Sequence, residues 1–447
     1  MKKVITYGTF DLLHYGHIRL LERARALGDY LIVGVTAEDF DKSRGKINVK
    51  QSLIERMESV KRTGLADIII VEEYEGQKID DIQRYDVDVF VVGGDWIGKF
   101  DYLKEYCEVI YLDRTEGISS TNLRTKQNSI RFGLVGRYEG IRKYAHEAEF
   151  VNGLEIVGAY TNDKTRFATE FPNVSMFTDN YTDLLNNVDA IYIASHPSLH
   201  YEYIREALHN GKHVLCESPI VLKVEQLNEL KKLAQERGLV LVDAIKTAYC
   251  MAYNRLILLL KGGKIGRVVS VDSVCTSLQD METNDNMDLG DKQNSICAWG
   301  PTAMLPVFQL LGTEYRSKII TTNYINRELL FDGFTKIAFV YNKAVASIMI
   351  GKGVKSEGEL IISGTEGYVY VPAPWWKMDY FEIRFEDANR NQRYFYQLDG
   401  EGIRYELVSF VRAIEKGRHG NYIQFSTSKA IVQTIEDFYD GKEVIEI

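Results

Sequence analysis

Two histidines near the amino terminus are spaced for phosphate chemistry. They belong to the stretch Gly8-Thr9-Phe10-Asp11-Leu12-Leu13-His14-Tyr15-Gly16-His17, which lies between an apolar run and an amphipathic one. Gly8 lets a phosphate approach the backbone, and Gly16 leaves room between the two imidazoles. The first N–H groups of a helix attract anions, so a helix that starts here would add to the site. These residues predict a site in which His14 and His17 point at one phosphoryl group.

Two other interpretations of the histidine pair are weaker. A helical zinc pair has its histidines at positions i and i+4, whereas His14 and His17 are three residues apart and have no cysteine nearby. The second alternative is that both are incidental surface histidines. The combination of a glycine turn, a helix start and two imidazoles favours phosphate binding over both alternatives.

The elements that would position these histidines form an alternating pattern. Short apolar runs alternate with amphipathic stretches in the order KVITYG, HIRLLERARALG, LIVGVT, QSLIERMESVKRTG, DIIIV, DVDVFVVGG, FDYLKEYC and EVIYL. Such alternation is typical of a parallel sheet covered by helices. It predicts a Rossmann-like α/β domain over residues 1–125, with the histidine motif between the first strand and the first helix.

The alternation then stops, resumes and finally changes character. A polar stretch predicts a linker at 122–129, and the run IRFGLVG opens a second Rossmann-like domain that we place at 130–247. After an apolar helix around Met251 to Lys261, runs such as RVVSVDSV, KIAFVY, AVASIMI, ELIIS and YVYV are typical of strands. They predict an α+β domain over 248–447 with a large, mostly antiparallel sheet. The predicted fold class is therefore α/β, in three domains.

Composition excludes several classes of protein. The 447 residues are 45% hydrophobic and 26% charged, so the chain can bury large cores and is neither disordered nor fibrous. A formal net charge of −9 leaves no general basic surface for nucleic acid or an anionic membrane. The five cysteines are scattered and never form C-x-x-C, which predicts reduced, structural thiols. Without a membrane-spanning apolar run or a signal peptide, we expect a soluble, cytoplasmic protein.

The motif GTFDLLHYGHIRLLERA resembles the H-x-G-H nucleotidyltransferase superfamily, in particular its glycerol-3-phosphate cytidylyltransferases. The likeness continues through VFVVGGDWIGKFDYL at 89–103 and RTEGISSTNLR at 114–124, so it covers essentially all of residues 1–125. Three motifs in the family's order are far more specific than one short match. The resemblance implies an enzyme that joins CTP to glycerol 3-phosphate, or to a related polyol phosphate, and releases pyrophosphate.

The implied reaction is an in-line attack of a substrate phosphate oxygen on the α-phosphorus of CTP. Cationic groups and a divalent ion, expected to be Mg²⁺, would neutralise the charge that builds up on the phosphate oxygens. By resemblance, the catalytic residues are His14, His17, Lys46 and Arg114. The nucleotide-binding residues implied in the same way are Gly8, Thr9, Phe10, Asp11, Gly16, Asp95, Trp96, Thr115, Ser119, Ser120 and Thr121. The sequence assigns no metal ligands.

Two departures from the family pattern concern the substrates. Where the cytidylyltransferases carry Gly-Asp-Asp-Trp, this chain has Gly93-Gly94-Asp95-Trp96, and Gly-Gly-Asp before an aromatic residue also occurs in adenylyltransferases that act on heptose 1-phosphate. Where relatives have an arginine about two turns after Arg56, this chain has Gly64, with Lys61 and Arg62 close by. The reaction type is therefore better defined than the base. The acceptor stays open between glycerol 3-phosphate and a longer polyol phosphate.

A second resemblance covers about residues 130–447. The stretches IRFGLVG, VDAIYIASHPSLHYEYIREALHNGKHVLCESP, GGKIGRVVSVDS and SGTEGYVYVP are similar to the Gfo/Idh/MocA oxidoreductase family. Positions that match its dinucleotide site are Gly133, Gly136, Thr161, Glu217 and Pro219. If Gly136 is the first glycine of the fingerprint, Tyr138 stands at the second and Ile141 at the third. A tyrosine where pyrophosphate should rest argues against NAD(P) binding in the usual pose.

Catalytic residues of this second family are also missing. Its Glu-Lys-Pro is Glu217-Ser218-Pro219 here, and its later Asp and His fall on Ala298 and Thr302, which cannot form a proton-transfer pair. His200 matches a family position, yet a lone helical histidine is more often structural, and Lys246 offers an amine after the next strand. We therefore expect a module that kept the fold and lost hydride transfer. The alternative is a bifunctional enzyme whose second module is an active NAD(P)-dependent reductase that makes the polyol phosphate.

The resemblances also imply a biological setting. CDP-polyols serve the synthesis of teichoic-acid-like and capsular polymers, so cell-wall or capsule synthesis is the expected pathway. Both families commonly form dimers or larger assemblies, which implies a homo-oligomer.

Overall fold

The computed structural model describes residues 1–13, 15–37, 49, 51–73, 76–113, 129–278, 292–396, 398, 400–416 and 422–447. The chain forms two compact units. Unit 1 comprises residues 1–129 and 150–153, and unit 2 comprises residues 130–149 and 154–447. All but the last residue of the predicted linker lies outside the described residues.

Unit 1 is built on one parallel sheet. Its strands are β1 (Lys3–Gly8), β2 (Tyr30–Thr36), β3 (Ile68–Glu72), β4 (Val89–Gly93) and β5 (Glu108–Leu112), in the order β3-β2-β1-β4-β5. The described helices are α1 (Tyr15–Arg25), α2 (Leu53–Arg62) and α3 (Gln77–Tyr85), and short 3₁₀ turns cover Gly94–Trp96 and Asp101–Glu105. The stretch FDYLKEYC, which reads as amphipathic, thus forms only a 3₁₀ turn.

Both faces of this sheet are covered, and neighbouring strand residues serve opposite faces. Val4 belongs to the core that includes Leu21 of α1 and Val60 of α2, whereas Ile5 belongs to the core that includes Ile82 of α3. All five side chains are almost fully buried. Burial on two faces explains why the strands read as continuous apolar runs and not as alternating ones.

Unit 2 begins with a second parallel sheet. Its strands are β6 (Ile130–Gly136), β7 (Leu154–Tyr160), β8 (Met176–Thr178), β9 (Ala190–Ala194), β10 (His213–Glu217) and β11 (Leu241–Ala244), in the order β11-β10-β9-β6-β7-β8. Its helices are α4 (Tyr138–Ala148), α5 (Lys164–Glu170), α6 (Tyr181–Asn187), α7 (Pro197–His209) and α8 (Val224–Glu236). A 3₁₀ turn at Lys246–Tyr249 follows β11.

The rest of unit 2 carries a nine-stranded sheet. Its strands are β12 (Val268–Thr276), β13 (Ser317–Asn326), β14 (Phe331–Val340), β15 (Val345–Gly351), β16 (Leu360–Gly364), β17 (Tyr368–Val371), β18 (Tyr380–Arg384), β19 (Gln392–Phe395) and β20 (Val444–Glu446). The order is β19-β18-β17-β16-β12-β15-β14-β13-β20, and all pairs are antiparallel except β12 with β15 and β13 with β20. The accompanying helices are α9 (Met251–Lys261), α10 (Ser295–Leu311), α11 (Ile403–Lys416) and α12 (Phe425–Tyr439), with 3₁₀ turns at Trp375–Lys377, Ala388–Arg390 and Gly400–Gly402.

The three sheets confirm the predicted α/β class with two parallel sheets and one large, mostly antiparallel sheet. The division of residues 130–447 at position 247 stays a prediction, because both sheets of that region lie in one compact unit. All five cysteines are free of disulfide bonds. No helix among the described residues is long and apolar enough to cross a membrane.

Candidate functional site

The histidine motif of unit 1 starts at the carboxyl edge of the sheet. Gly8 ends β1 and Gly93 ends β4, and these two strands are neighbours in the sheet. The chain runs from β1 to β2 on one side and from β4 to β5 on the other, so the crevice of this α/β sheet opens at these two strand ends. Open α/β sheets bind their ligands at such a point. The 3₁₀ turn Gly94–Trp96 begins at the same edge.

The loop between β1 and α1 is held in an unusual conformation. Phe10 and Leu12 have φ values of 52° and 46°, a left-handed backbone that costs on the order of 1–3 kcal/mol for a residue with a side chain. The Phe10 ring is buried, and a methyl group added to Gly8 would lie 3.0 Å from it. The His17 ring of α1 meets the Phe10 ring edge-on, at 5.5 Å between centroids. The loop therefore fixes the entry of α1 and the position of His17.

A buried arginine on α2 holds this loop in place through hydrogen bonds. Arg56 is fully buried, and its Nη1 donates hydrogen bonds to the carbonyl oxygens of Thr9, at 2.7 Å, and Thr36, at 2.8 Å. Gln51, just before α2, donates its backbone N–H to the Asp11 carboxylate at 3.0 Å. The start of α2 thus ties the ends of β1 and β2 together beneath the histidine motif.

The role of Arg56 in holding this loop was not predicted from the sequence, in which Arg56 served only as a reference position. The spacing in the sequence could have indicated this role, because Arg56 lies one turn before Val60. The structure buries both residues on the same face of α2. An arginine on the apolar face of an amphipathic helix is costly unless its donors are satisfied. Such a residue is a candidate for holding buried carbonyl groups.

A second buried polar group lies at the carboxyl ends of β2 and β3. Glu72 pairs with Lys78 of α3 and accepts a hydrogen bond from the Thr36 hydroxyl at 3.0 Å. Tyr7 donates to the Asp81 carboxylate at 2.8 Å, and burial together with that carboxylate raises the pKa of Tyr7. These contacts fix α3 against the sheet.

Several predicted site residues of unit 1 cannot be placed. His14, Lys46, Arg114, Thr115, Ser119, Ser120 and Thr121 lie outside the described residues, as does the side chain of Asp95. The structure brings Gly8, Thr9, Phe10, Asp11, Gly16 and His17 to the loop and first turn of α1, and Trp96 to the turn after β4. The Trp96 ring lies 5.8 Å from that of Phe100 and has the Lys99 ammonium 5.2 Å from its centroid. The roles of these residues stay predictions.

Unit 2 keeps a glycine turn at the end of its first strand. Gly136 has a φ of 144°, and a methyl group added to it would lie 2.6 Å from the Ala194 carbonyl oxygen at the end of β9. A methyl group on Gly140 would lie 3.2 Å from the same oxygen. Gly133, inside β6, packs against Val188 and leaves no room for a side chain. Gly136 and Gly140 thus let the turn between β6 and α4 pack closely against the end of β9, as the glycines of a dinucleotide-binding turn do.

The Tyr138 ring is part of the packing between α4 and α5. It is buried, it donates its hydroxyl to the Glu170 carboxylate, and the Arg166 guanidinium lies 3.9 Å from its centroid. Phe167 meets it edge-on. The Tyr138 ring is therefore held against α5, which weakens its steric conflict with a bound pyrophosphate.

The other expected positions of unit 2 are found where the strands end. Glu217 is the last residue of β10, and Ser218 and Pro219 follow it. Thr161 directly follows β7 and is buried. His200 is buried between two strand ends, with its ring nitrogens 2.9 Å from the Pro219 carbonyl oxygen and 3.0 Å from that of Ser195. Burial lowers its pKa to about 4, which fits a structural histidine.

Three carboxyl groups lie near the end of β10, and two of them, Asp243 and Glu406, are buried. Tyr192 donates to Glu217 at 2.7 Å, and Tyr144 donates to Glu406 of α11 at 2.5 Å, while the two tyrosine rings stack at 3.6 Å. Burial raises the pKa of all three carboxyls, that of Asp243 to about 6. The sequence pointed only to Glu217, through its match to the Glu-Lys-Pro motif, and the roles of Asp243 and Glu406 come from the structure.

Asp243→Asn should stabilise unit 2 at pH 7.5 much more than at pH 4.5. Its folded pKa of about 6 exceeds its unfolded value, so the folded state binds more protons and loses stability as pH rises from about 4 to 7. Two pKa units correspond to about 3 kcal/mol, which the neutral amide should recover. Unfolding of the full-length chain in urea at both pH values measures the difference.

Asp189→Asn is the matched control, with the opposite sign. Arg131 holds the pKa of Asp189 below its usual range, so the loss of that carboxylate should destabilise at pH 7.5 and have less effect as pH falls below 4. A stabilisation by Asp243→Asn that is equal at the two pH values would contradict the prediction.

The described residues contain no group of three or more histidine, cysteine, aspartate or glutamate side chains placed to hold a metal ion. The divalent ion of the predicted phosphoryl transfer stays a prediction.

Comparison with known proteins assigns the two parts of the chain to two families. Residues 5–126 match the family described as "Cytidylyltransferase-like", and residues 130–244 match Gfo/Idh/MocA, described as "Oxidoreductase family, NAD-binding Rossmann fold". The fold, the carboxyl-edge site and these matches define a cytidylyltransferase fused to an oxidoreductase-like module.

The first part can be assigned more narrowly. The glycerol-3-phosphate cytidylyltransferase of Bacillus spizizenii is 54% identical over 130 residues, which are 29% of this chain and 100% of that protein. The chain belongs to the glycerol-3-phosphate cytidylyltransferase family and is a cytidylyltransferase, which confirms the resemblance drawn from the three motifs.

Relatives of the second part are more distant. The scyllo-inositol 2-dehydrogenase (NADP(+)) IolU of Bacillus subtilis is 28% identical over 131 residues, which are 28% of this chain and 40% of that protein. The crystal structure of KijD10, a 3-ketoreductase from Actinomadura kijaniata in complex with NADP and TDP-benzene, covers 72% of this chain and 100% of its own at 19% identity, with a TM-score of 0.62. A match of that length must include most of unit 2, and at this identity it shows the fold alone.

Proposed function

We propose that this protein joins CTP to glycerol 3-phosphate, or to a related polyol phosphate, and releases pyrophosphate. The observation that carries the proposal is the 54% identity to a glycerol-3-phosphate cytidylyltransferase over that protein's whole length. The location of the histidine motif supports it, because the motif starts at the crevice of the unit 1 sheet, where α/β folds bind nucleotides.

In this proposal the described residues hold and neutralise phosphate. His17 donates a hydrogen bond to oxygens that gain negative charge as the α-phosphorus is attacked, and the strained loop from Thr9 to Leu12 keeps its ring in place. Arg56 holds that loop through the Thr9 carbonyl. A bound divalent ion such as Mg²⁺ would neutralise triphosphate oxygens. The CDP-polyol product would serve cell-wall or capsular polymer synthesis.

For unit 2 we propose that hydride transfer by the family's own residues is lost. Ser218 replaces the lysine of the Glu-Lys-Pro motif, and Ala298 and Thr302 replace the later aspartate and histidine. The retained glycine turn at Gly136, together with the family described as NAD-binding, supports the alternative that unit 2 is an active NAD(P)-dependent reductase supplying the polyol phosphate.

Pyrophosphate release by the full-length protein with Mg²⁺ tests both proposals. CTP, ATP, GTP and UTP are each combined with glycerol, erythritol, ribitol and heptose phosphates. We expect turnover with CTP and one polyol phosphate. Turnover confined to ATP and heptose 1-phosphate would overturn the choice of base and acceptor. A second arm supplies a ketose phosphate and NADPH in place of the polyol phosphate, and pyrophosphate release there would overturn the loss of hydride transfer.

A further inference from the structure

Three lysines of unit 2 converge on one carboxylate. The ammonium groups of Lys143 and Lys246 lie 3.0 Å from Glu401 oxygens, and that of Lys377 lies 2.6 Å away. Lys143 reaches both carboxylate oxygens at 3.0 Å. Burial would raise the pKa of Glu401, but Lys377, Lys246 and Lys143 together hold it well below its usual range. Three positive charges thus meet a single carboxylate that stays ionised.

The lysines are held by separate elements of the framework. Lys143 lies on α4, Lys246 opens the 3₁₀ turn after β11, and Lys377 ends the turn Trp375–Lys377. The Thr247 hydroxyl donates to the Trp376 carbonyl at 3.1 Å in a buried contact that joins the two turns. Lys246 and Lys377 are therefore held close to each other by their own backbone, and Glu401 is not needed to bring them together.

Glu401, by contrast, is carried by a short glycine-flanked turn. Gly400, Glu401 and Gly402 have φ values of 59°, 53° and 90°, so the glutamate itself has a left-handed backbone. A methyl group on Gly402 would lie 2.6 Å from the Cys250 sulfur, which leaves the turn no room for a larger residue there. The Glu401 carboxylate thus lies on a strained turn, whereas the three lysines lie on separate elements that are positioned without Glu401.

The lysine cluster lies at the ligand-binding edge of the parallel sheet. Lys246 comes two residues after Ala244, the last residue of β11, and its charge partly offsets the burial that raises the pKa of Glu217 at the end of the neighbouring strand β10. Ligands of open α/β sheets bind outside the carboxyl ends of the strands. A cationic group here faces the place where a ligand of unit 2 would enter.

We propose that Lys143, Lys246 and Lys377 form a binding site for a phosphate monoester, and that Glu401 occupies this site when the ligand is absent. A monoester carries about two negative charges near pH 7 and three terminal oxygens, one for each ammonium group. A carboxylate has one charge and two oxygens, so it satisfies the cluster only in part. Lysine binds phosphate as a point charge and tolerates the exchange of one anion for another. This inference concerns unit 2 alone and does not depend on the cytidylyltransferase activity proposed for unit 1.

Glu401→Gln in the full-length protein tests the proposal, with inorganic phosphate as the probe. Glu401 is a tethered competitor with an effective concentration in the millimolar range, so its removal should tighten phosphate binding by about tenfold or more in calorimetric titrations. Phosphate should also raise the melting temperature of this variant above that in chloride of equal ionic strength. Glu236→Gln, which removes an exposed glutamate paired with Lys232, is the matched control and should behave as the wild type.

Two results would contradict the proposed phosphate site. One is phosphate affinity of Glu401→Gln within twofold of the wild type; the other is a loss of stability in this variant that phosphate does not restore. In either case the three lysines would serve only to anchor the turn. If the variant does not fold, Lys143→Met and Lys232→Met are compared instead, since both change exposed lysines. The phosphate-dependent rise in melting temperature should fall by at least half in Lys143→Met alone, and equal rises would overturn the proposal.

Two further titrations of Glu401→Gln distinguish between a phosphate monoester and a pyrophosphate diester as the ligand. A tighter binding of glycerol 3-phosphate than in the wild type supports a monoester of a small polyol. A gain confined to NAD, which carries only a pyrophosphate diester, would overturn the assignment to a monoester.

Discussion

His17→Ala should lower the rate of CDP-polyol formation by about 10²–10³-fold, the effect of removing one hydrogen-bond donor to a transition-state oxygen. His17 is the third residue of α1, at the carboxyl edge of the unit 1 sheet, and its ring touches Phe10. The charge on the phosphate oxygens is largest in the transition state, so kcat should fall more than KM rises. The ring is only half-buried, so the thermal unfolding midpoint should stay close to that of the wild type.

Pyrophosphate release and thermal unfolding of the same preparations check this expectation. His209→Ala changes a histidine in the last turn of α7, in unit 2, and should leave the rate unchanged. Equal rates for His17→Ala and the wild type would contradict the proposed role. We expect the same loss for His14→Ala, on the strength of the motif alone, because His14 lies outside the described residues.

Arg56→Met should reduce both activity and stability. The change leaves the buried carbonyl oxygens of Thr9 and Thr36 without their hydrogen bonds from Nη1, at a cost of about 1–3 kcal/mol each. The loop from Thr9 to Leu12 would then relax from its left-handed conformation and move the His17 ring. We expect a rate loss of about 100-fold, since small displacements of a catalytic group have effects of this size.

Arg62→Met on the same helix is the matched control. Arg62 is largely exposed, and its Nε lies 3.7 Å from a Glu58 carboxylate oxygen in a weak i,i+4 pair. Its loss should therefore change the free energy of unfolding by less than about 0.5 kcal/mol. Urea unfolding and pyrophosphate release of both variants measure the contrast. Activity of Arg56→Met within fivefold of the wild type would show that the loop does not depend on this arginine.

The sequence predicted those features of the structure that depend on residues close to one another along the chain. The alternation of apolar runs predicted both parallel sheets, because strands buried on two faces must be continuously apolar. The β-rich runs after Lys261 predicted the large mixed sheet in the same way. The H-x-G-H motif predicted a phosphate site after the first strand; the structure places Gly8, where the motif starts, at the carboxyl edge of the sheet, and the phosphate site itself stays a prediction.

Other features could not be predicted in this way. The direction of the Tyr138 ring depends on Arg166, Phe167 and Glu170 of α5, so the glycine fingerprint alone overstated the obstruction. The burial of Arg56 depends on carbonyl groups of two different strands. The sequence indicated that the stretch forming α2 is amphipathic, but not what its buried face meets.

The amino-acid sequence by itself indicated the reaction class of the first domain and the order of the elements, and it motivated the proposal that the oxidoreductase residues are lost, because these follow from local patterns and from the identity of single positions. Only the tertiary structure decided which charges meet. Lys143, Lys246 and Lys377 are 258, 155 and 24 residues away from Glu401 along the chain. Electrostatic interactions depend on distance in space and on burial, and folding sets both by packing elements that no local pattern relates.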